Sequence, residues 1–403
     1  MANTTISRIM ESMIAFSDGN IRDINHLICV WGYAKTILSL AREAFGVDYD
    51  ATTIDQQRKI VEIHQPDGKN DILQQIEHGM LSVVGGWNAL GRLYRGIVCN
   101  DLRQYVLLGD ASTMTDGVSG TEDDRWVFTE DNPARELTAA AHLAAGARVL
   151  TGFNDTLARQ GLEAAEAVFA RTNLPEGDAH ARSARLHAAA ELFLTTGDAS
   201  HRNYIIGEAD YIASNIEQTG WIAARVVDAL GDDGFARKVR RALPALKARL
   251  NAQRAETPYG IPYRPFIWGA GWGIQAMAFR YYFLHRAFPE VFDRELLENA
   301  LHFVLGCHPG SNTASFASGV GAKSATVAYG ANRGDWSYIP GGVISGTALI
   351  RPDFPELLEY PFLWQQTEYV LGGGSSHFMF LVLAVQSLLR DEARDDTAAK
   401  VEN

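Results

Sequence analysis

Apolar residues in this chain recur at three- and four-residue steps through one long segment after another, the pattern of amphipathic helices. In residues 24–45, Leu27, Trp31, Ala34, Leu38 and Ala41 share one side. The same period predicts helices over 72–84, 135–150, 157–171, 183–195, 204–216, 221–230, 236–250, 272–288, 295–305 and 378–389. Residues 139–147 (Ala-Ala-Ala-His-Leu-Ala-Ala-Gly-Ala) are small and apolar all round, so their helix is expected to be buried on several sides. Gly197 stands where a left-handed residue would stop a helix. Helices joined by short polar stops pack as antiparallel hairpins. The expectation is an all-α chain forming a single domain over 1–403, with no linker or charge run dividing it.

Two stretches interrupt the helices. Residues 100–133 form a long acidic loop, and residues 307–361 are rich in Gly, Ser and Thr. Loops of such length inside a compact domain are usually functional or disordered, and Trp126, Phe316, Tyr329, Trp336 and Tyr338 argue against disorder.

A formal charge of −12 disfavours nucleic acid and anionic lipid as partners and suits a neutral ligand. No apolar run is long enough to span a membrane, and the first twenty residues lack a basic head followed by an apolar core. Cys29, Cys99 and Cys307 are far apart, odd in number and set among apolar residues, so neither a disulfide framework nor a metal knuckle is expected. A cytoplasmic location is the expectation that follows.

No metal-ligand spacing, phosphate-binding glycine motif or nucleophile elbow is present, so neither metal nor cofactor is expected and carboxylates become the default chemistry. Glu368 is the sole acid between Glu359 and Asp391, in an apolar and aromatic stretch. Such surroundings disfavour an ionised carboxyl, as a general acid requires. A satisfied structural Glu fits the same surroundings. Trp268 and Trp272, in Trp-Gly-Ala-Gly-Trp, suit a stacking platform for a ring-shaped ligand, while Trp87 suits either surface or core. The cluster Asp110, Asp116, Glu122, Asp123 and Asp124 lacks calcium-loop spacing and reads as a solvated acidic face.

Several segments resemble glycoside hydrolase family 9. Leu305-Gly306-Cys307-His308-Pro309 is similar to that family's Leu-Gly-x-Asn-Pro step. Residues 315–321 (Ser-Phe-Ala-Ser-Gly-Val-Gly) resemble its Ser-Tyr-Val-x-Gly-x-Gly loop, and Ile339 to Gly346 resembles its Pro-Gly-x-Leu-x-Gly-Gly segment. Thr367-Glu368 falls where the family has Asn-Glu. Asn70 to Ile76 and Ala188 to Asp198 resemble its earlier helix start and helical hairpin, so the likeness covers nearly the whole chain.

The resemblance implies an (α/α)6 toroid of helical hairpins with long cleft-forming loops, and inverting hydrolysis of a soluble oligosaccharide or glycoside. It makes Glu368 the general acid. The family's Asp-Ala-Gly-Asp motif corresponds to Asn20-Ile21-Arg22-Asp23, which keeps the second Asp as general base and loses the first. Asp18 is the alternative base, and a helix N-terminal acid is the bland role for Asp23. Trp126, Trp268, Trp272, Tyr329 and Trp336 would stack on or edge the sugar. Arg333, surviving from a His-His-Arg clamp, would orient it. Gly372-Gly373-Gly374 departs from the family, and Ser375 or Ser376 is expected to cap a last helix containing His377. Two other readings remain: a toroid enzyme with changed chemistry, such as a uronate lyase or sugar epimerase, and a non-catalytic sugar-binding protein.

Overall fold

The computed structural model describes residues 26–55, 58, 60–99, 116, 118, 120, 121, 124–256, 260–262, 270–307, 315–320, 328, 329, 336, 337, 342, 343 and 373–401. These residues contain twelve α-helices. They are α1 (Ile28–Phe45), α2 (Asp71–Leu90), α3 (Pro133–Leu150), α4 (Asp155–Arg171), α5 (Ala179–Thr196), α6 (Ala199–Gly207), α7 (Ala209–Ser214), α8 (Ile216–Leu230), α9 (Asp233–Ala255), α10 (Ala270–Ala287), α11 (Glu295–Val304) and α12 (Gly373–Val401). The all-α expectation holds.

Three small antiparallel sheets accompany the helices. The first orders β1 (His26–Leu27), β4 (Gly96–Cys99) and β5 (Arg125–Phe128). The second pairs β2 (Thr52–Asp55) with β3 (Ile60–Ile63), and the third pairs β6 (Ala328–Tyr329) with β7 (Trp336–Ser337).

Five of the described helices begin where a side chain satisfies orphan backbone donors. Asn70 accepts from Ile72 N and Leu73 N at the start of α2, and Asn132 accepts from Arg135 N at the start of α3. Asn154, Asp178 and Asp232 do the same for α4, α5 and α9. Gly197 stops α5 as expected: its φ is 69° and its N–H bonds to Phe193 O at 2.8 Å. The step after α11 also holds, with Gly306 at φ 119°.

Two elements differ from the sequence reading. The helix expected over 204–216 is two helices, broken where Glu208 N bonds to both Tyr204 O and Ile205 O, at 3.1 Å each. The last helix starts at Gly373, so Ser375, Ser376 and His377 lie inside it and neither serine is its cap. Ser375 through Leu381 are all buried, and burial of that face outweighs the cost of glycine in a helix. Cys307 also departs from its apolar neighbourhood in sequence, being exposed.

The described residues cluster as two compact units. One comprises Val47–Asp198 with the preceding chain to Arg42. Its core is α3, which packs on α4 and α5, with α2 against α3 and α4. Every residue from Ala139 to Ala147 is buried, as the small-residue run predicts. Met80 of α2 lies so close to Gly146 of α3 and Gly161 of α4 that a Cβ at either would collide with it.

The other unit comprises Ala199–Asn403 with Glu43–Gly46. Here α10 packs on α8, α11 and α12 around an aromatic cluster. Phe279 and Phe380 meet edge-on at 4.8 Å, Phe45 meets Phe380 at 5.1 Å and Trp221 lies 5.8 Å from Phe279. His377 belongs to this cluster, its ring 5.5 Å from Phe279.

Candidate active site

Of the expected site residues, Glu368, Asp23, Asp18, Trp268 and Arg333 lie outside the described residues. The backbones of Trp126, Trp272, Tyr329 and Trp336 are placed. Trp272 stands in the first turn of α10. Tyr329 and Trp336 are direct partners across the β6–β7 ladder. Arg333 lies between them in sequence.

The two glycine-rich motif segments of this half come together. Ala317 bridges Val343 in antiparallel fashion, and Ser318 N bonds to Gly342 O at 2.9 Å. Phe316 N bonds to Val304 O at 2.8 Å, and the Phe316 ring packs edge-on against Phe303 of α11 at 5.8 Å. Ser315 through Ser318 are buried. The loop after α11 is therefore anchored on the helix by an aromatic plug and carries its partner segment by backbone hydrogen bonds.

Trp126 belongs to the other unit. It pairs with Val98 in the β4–β5 ribbon. The ribbon leads directly into α3, and its stem carries a cluster of ion pairs. Arg95 Nη1 lies 3.6 Å from Glu130 Oε2, Arg135 Nε lies 3.0 Å from Glu130 Oε1, and Arg92 Nη2 lies 3.0 Å from Asp131 Oδ1. Beside them, burial raises the Tyr94 hydroxyl above its ordinary pKa, a hydrogen bond with Ser82 opposing the shift.

Trp87 takes a structural role in α2. The Arg171 guanidinium sits over its ring, 4.5 Å from the centroid, and Arg171 Nη1 donates to Gly91 O at 2.9 Å. Within the acidic run, Asp116 Oδ1 accepts from Val118 N at 2.7 Å and from Thr121 Oγ1 at 3.2 Å, so this carboxylate holds a turn. Among the described residues no three His, Cys, Asp or Glu side chains are grouped to share a metal ion.

A buried polar network joins α1, α3 and α5. Thr36 Oγ1 hydrogen-bonds His142 Nδ1, and the His142 and His187 rings stand edge-on at 6.4 Å. Glu191 is fully buried; its Oε2 accepts from Arg148 Nη2 at 2.7 Å, and His187 Nε2 lies 3.8 Å from its Oε1. Arg148 Nη1 also donates to Thr195 Oγ1 at 2.8 Å. Burial, with a smaller effect from His187, pushes the His142 pKa down to about 3 against an opposing pull from Glu191. The signals in sequence were a His inside an otherwise apolar helix and the Ala188 to Asp198 motif, which carries Glu191 and Thr195.

Asp71 is a second buried titratable group. Burial pushes its pKa up to about 6, against the hydrogen bond from Ala51 N.

Comparison with known proteins places these elements in a family. No curated protein sequence matches the chain. Solved structures do. A thermostable endoglucanase single mutant from Alicyclobacillus acidocaldarius matches with a TM-score of 0.66 at 18% identity, over 90% of this chain and 73% of that one. An endoglucanase from the termite Nasutitermes takasagoensis matches with a TM-score of 0.65 at 14% identity, over 91% and 87% of the two chains. The cellulase Cel9M of C. cellulolyticum, solved with cellobiose, matches with a TM-score of 0.61 at 14% identity, over 91% and 86%. Likeness at this identity establishes the fold, the expected (α/α)6 arrangement. The family model for glycosyl hydrolase family 9 matches residues 29–333, about three quarters of the sequence. The chain is therefore a glycoside hydrolase and belongs to glycosyl hydrolase family 9.

Proposed function

We propose that this enzyme hydrolyses a soluble oligosaccharide or glycoside by single displacement, with Glu368 as general acid and Asp23 as general base. Glu368 gives its proton to the departing glycosidic oxygen. Asp23 takes a proton from a water whose oxygen bonds to the anomeric carbon from the opposite face. The glycosidic bond breaks as that bond forms, so the anomeric configuration inverts. This mechanism needs the two carboxyl groups about 6.5–9.5 Å apart, leaving room for the water. Asp23 and Glu368 flank the segment that matches the family, residues 29–333.

The observation that carries the reading is the convergence of motif segments in the second half of the chain. The 315–318 loop is hydrogen-bonded to Gly342, and Tyr329 pairs with Trp336. The 315–321 and 339–346 segments are those whose sequences resemble the family's loops, and aromatic rings such as Tyr329 and Trp336 are suited to pack on the apolar faces of a sugar. Trp126, Trp268 and Trp272 complete the proposed sugar-facing set, with Arg333 orienting a hydroxyl.

Solved relatives are described as endoglucanases, and one described as a cellulase was solved with cellobiose, so cello-oligosaccharides are the first substrates to test. Wild type and Glu368→Gln should be compared on cellotetraose and a panel of aryl glycosides and soluble oligosaccharides. The expected result is new reducing ends from wild type, reduced in the variant by about 10²–10⁴-fold on natural oligosaccharides. Undiminished activity in Glu368→Gln, or an unsaturated product absorbing in the near ultraviolet, would overturn the assignment.

A further inference from the structure

We infer that Glu130 is a positioning residue for the β4–β5 ribbon and, through it, for Trp126. This rests on the proposal above that Trp126 meets the sugar. The ribbon is small: β4 and β5 have four residues each, and β1 adds only two. Strands so short do not hold their own geometry in water. The ribbon's described side chains, Val127 and Phe128, are 44% and 49% exposed, so burial does not hold that end of it.

The stem is where the polar contacts converge. Arg95, just ahead of β4, donates its N–H to Phe128 O at 2.6 Å and closes the ribbon. Glu130, two residues past β5, receives Arg95 on one carboxylate oxygen at 3.6 Å and Arg135 on the other at 3.0 Å. Its backbone oxygen accepts from Arg92 Nη2 at 3.1 Å. Arg135 lies in the first turn of α3, whose N-cap Asn132 follows Glu130 by two residues. Because α3 is buried along its length, it is the fixed body in this region. One carboxylate thus ties both strands of the ribbon to that body.

A shallow, solvent-open groove lined by Leu93, Tyr94, Arg95, Glu130, Asn132 and Arg135 lies beside the clamp. The side chains of Arg95, Glu130 and Arg135 are 53%, 31% and 29% exposed. Ion pairs this exposed add little to global stability, so the effect of the clamp is local.

The test labels the protein with 5-fluorotryptophan and reads its ¹⁹F spectrum. Trp126→Ala identifies the Trp126 line among the eight tryptophans. In Glu130→Gln that line is expected to shift or broaden while the others and the thermal midpoint stay unchanged. On whichever soluble sugar the wild type cleaves, KM should rise roughly three- to tenfold with kcat within about twofold. In the Trp126→Ala background the same substitution should leave KM unchanged, because the two residues act through one contact. An unmoved Trp126 line in Glu130→Gln overturns the inference, as does an equal rise in KM in both backgrounds. If Glu130→Gln does not fold, Arg95→Gln is read in its place with the same outcomes. A displaced Trp126 line alongside an unaltered KM in Trp126→Ala would retire the sugar-stacking role and leave the positioning role standing.

Discussion

Tyr329 and Trp336 are direct cross-strand partners in the β6–β7 ladder. Directly opposed residues of an antiparallel pair share one face of the ribbon, where aromatic pairs stabilise each other. Two aromatic residues seven positions apart in a glycine-rich loop are thus brought to opposed positions of one ladder. The proposal makes that pair a sugar platform. Tyr329→Ala and Trp336→Ala should each raise KM, by about 5- to 10-fold if each loses roughly 1 kcal/mol or slightly more of stacking. The double variant should cost less than the product of the singles. Steady-state kinetics on cellotetraose, or on the panel sugar that the enzyme cleaves, measures all three.

The Arg148–Glu191 pair between α3 and α5 supports a stability prediction. Glu191 is fully buried and Arg148 is its near partner at 2.7 Å. Removing one member of a buried pair strands the other charge and typically costs about 3–5 kcal/mol. Arg148→Met should lose roughly 3 kcal/mol in urea unfolding, and adding Glu191→Leu should recover part of the loss. A loss well below 1 kcal/mol in the single variant would show that Glu191 finds compensation elsewhere.

Two buried groups bend the pH dependence of stability in opposite directions. His142 has its folded pKa pushed down to about 3, below its unfolded value of 6.5, so it stays neutral in the fold while the unfolded chain takes up a proton. Its contribution is complete above pH 6.5 and is lost as pH falls toward 3. Asp71 has its folded pKa raised from 3.8 to about 6. Its contribution is present below pH 3.8 and is lost as pH rises through 6. Between about pH 4 and 6 the two slopes, each about 1.4 kcal/mol per pH unit, nearly cancel. Asp71→Asn should therefore make stability fall more steeply with acid in that window than it does in wild type. His142→Asn should change the slope the opposite way. Denaturant titrations at pH 4, 5 and 6 compare the slopes, and identical slopes in all three proteins would remove both assignments.

Helical periodicity made much of the fold legible, because a long apolar stripe has one local solution. The Gly197 stop, the all-buried face of α3 and the step after α11 all follow from nearby residues. The break at Glu208 was not legible, since Ile205, Ala209 and Ile212 continue the buried pattern across it. Nor was the start of α12 at Gly373, where burial overrides the poor helix propensity of glycine. Strands of two to four residues are too short for a two-residue period to register. The candidate site shows the same division. The family resemblance marked Tyr329, Trp336 and Trp126 as sugar-facing, but their ladder partners are products of tertiary pairing. The Thr36–His142 contact spans 106 residues, and no spacing rule reaches that far.

The central claim is single displacement between Glu368 and Asp23. Proton NMR of the first-formed product, recorded on a cleaved oligosaccharide of known anomeric configuration before mutarotation, tests it most directly. The new reducing end is expected to appear first as the anomer opposite to the bond cleaved. A first product that keeps the substrate's configuration would contradict it, and with it the role given to Asp23.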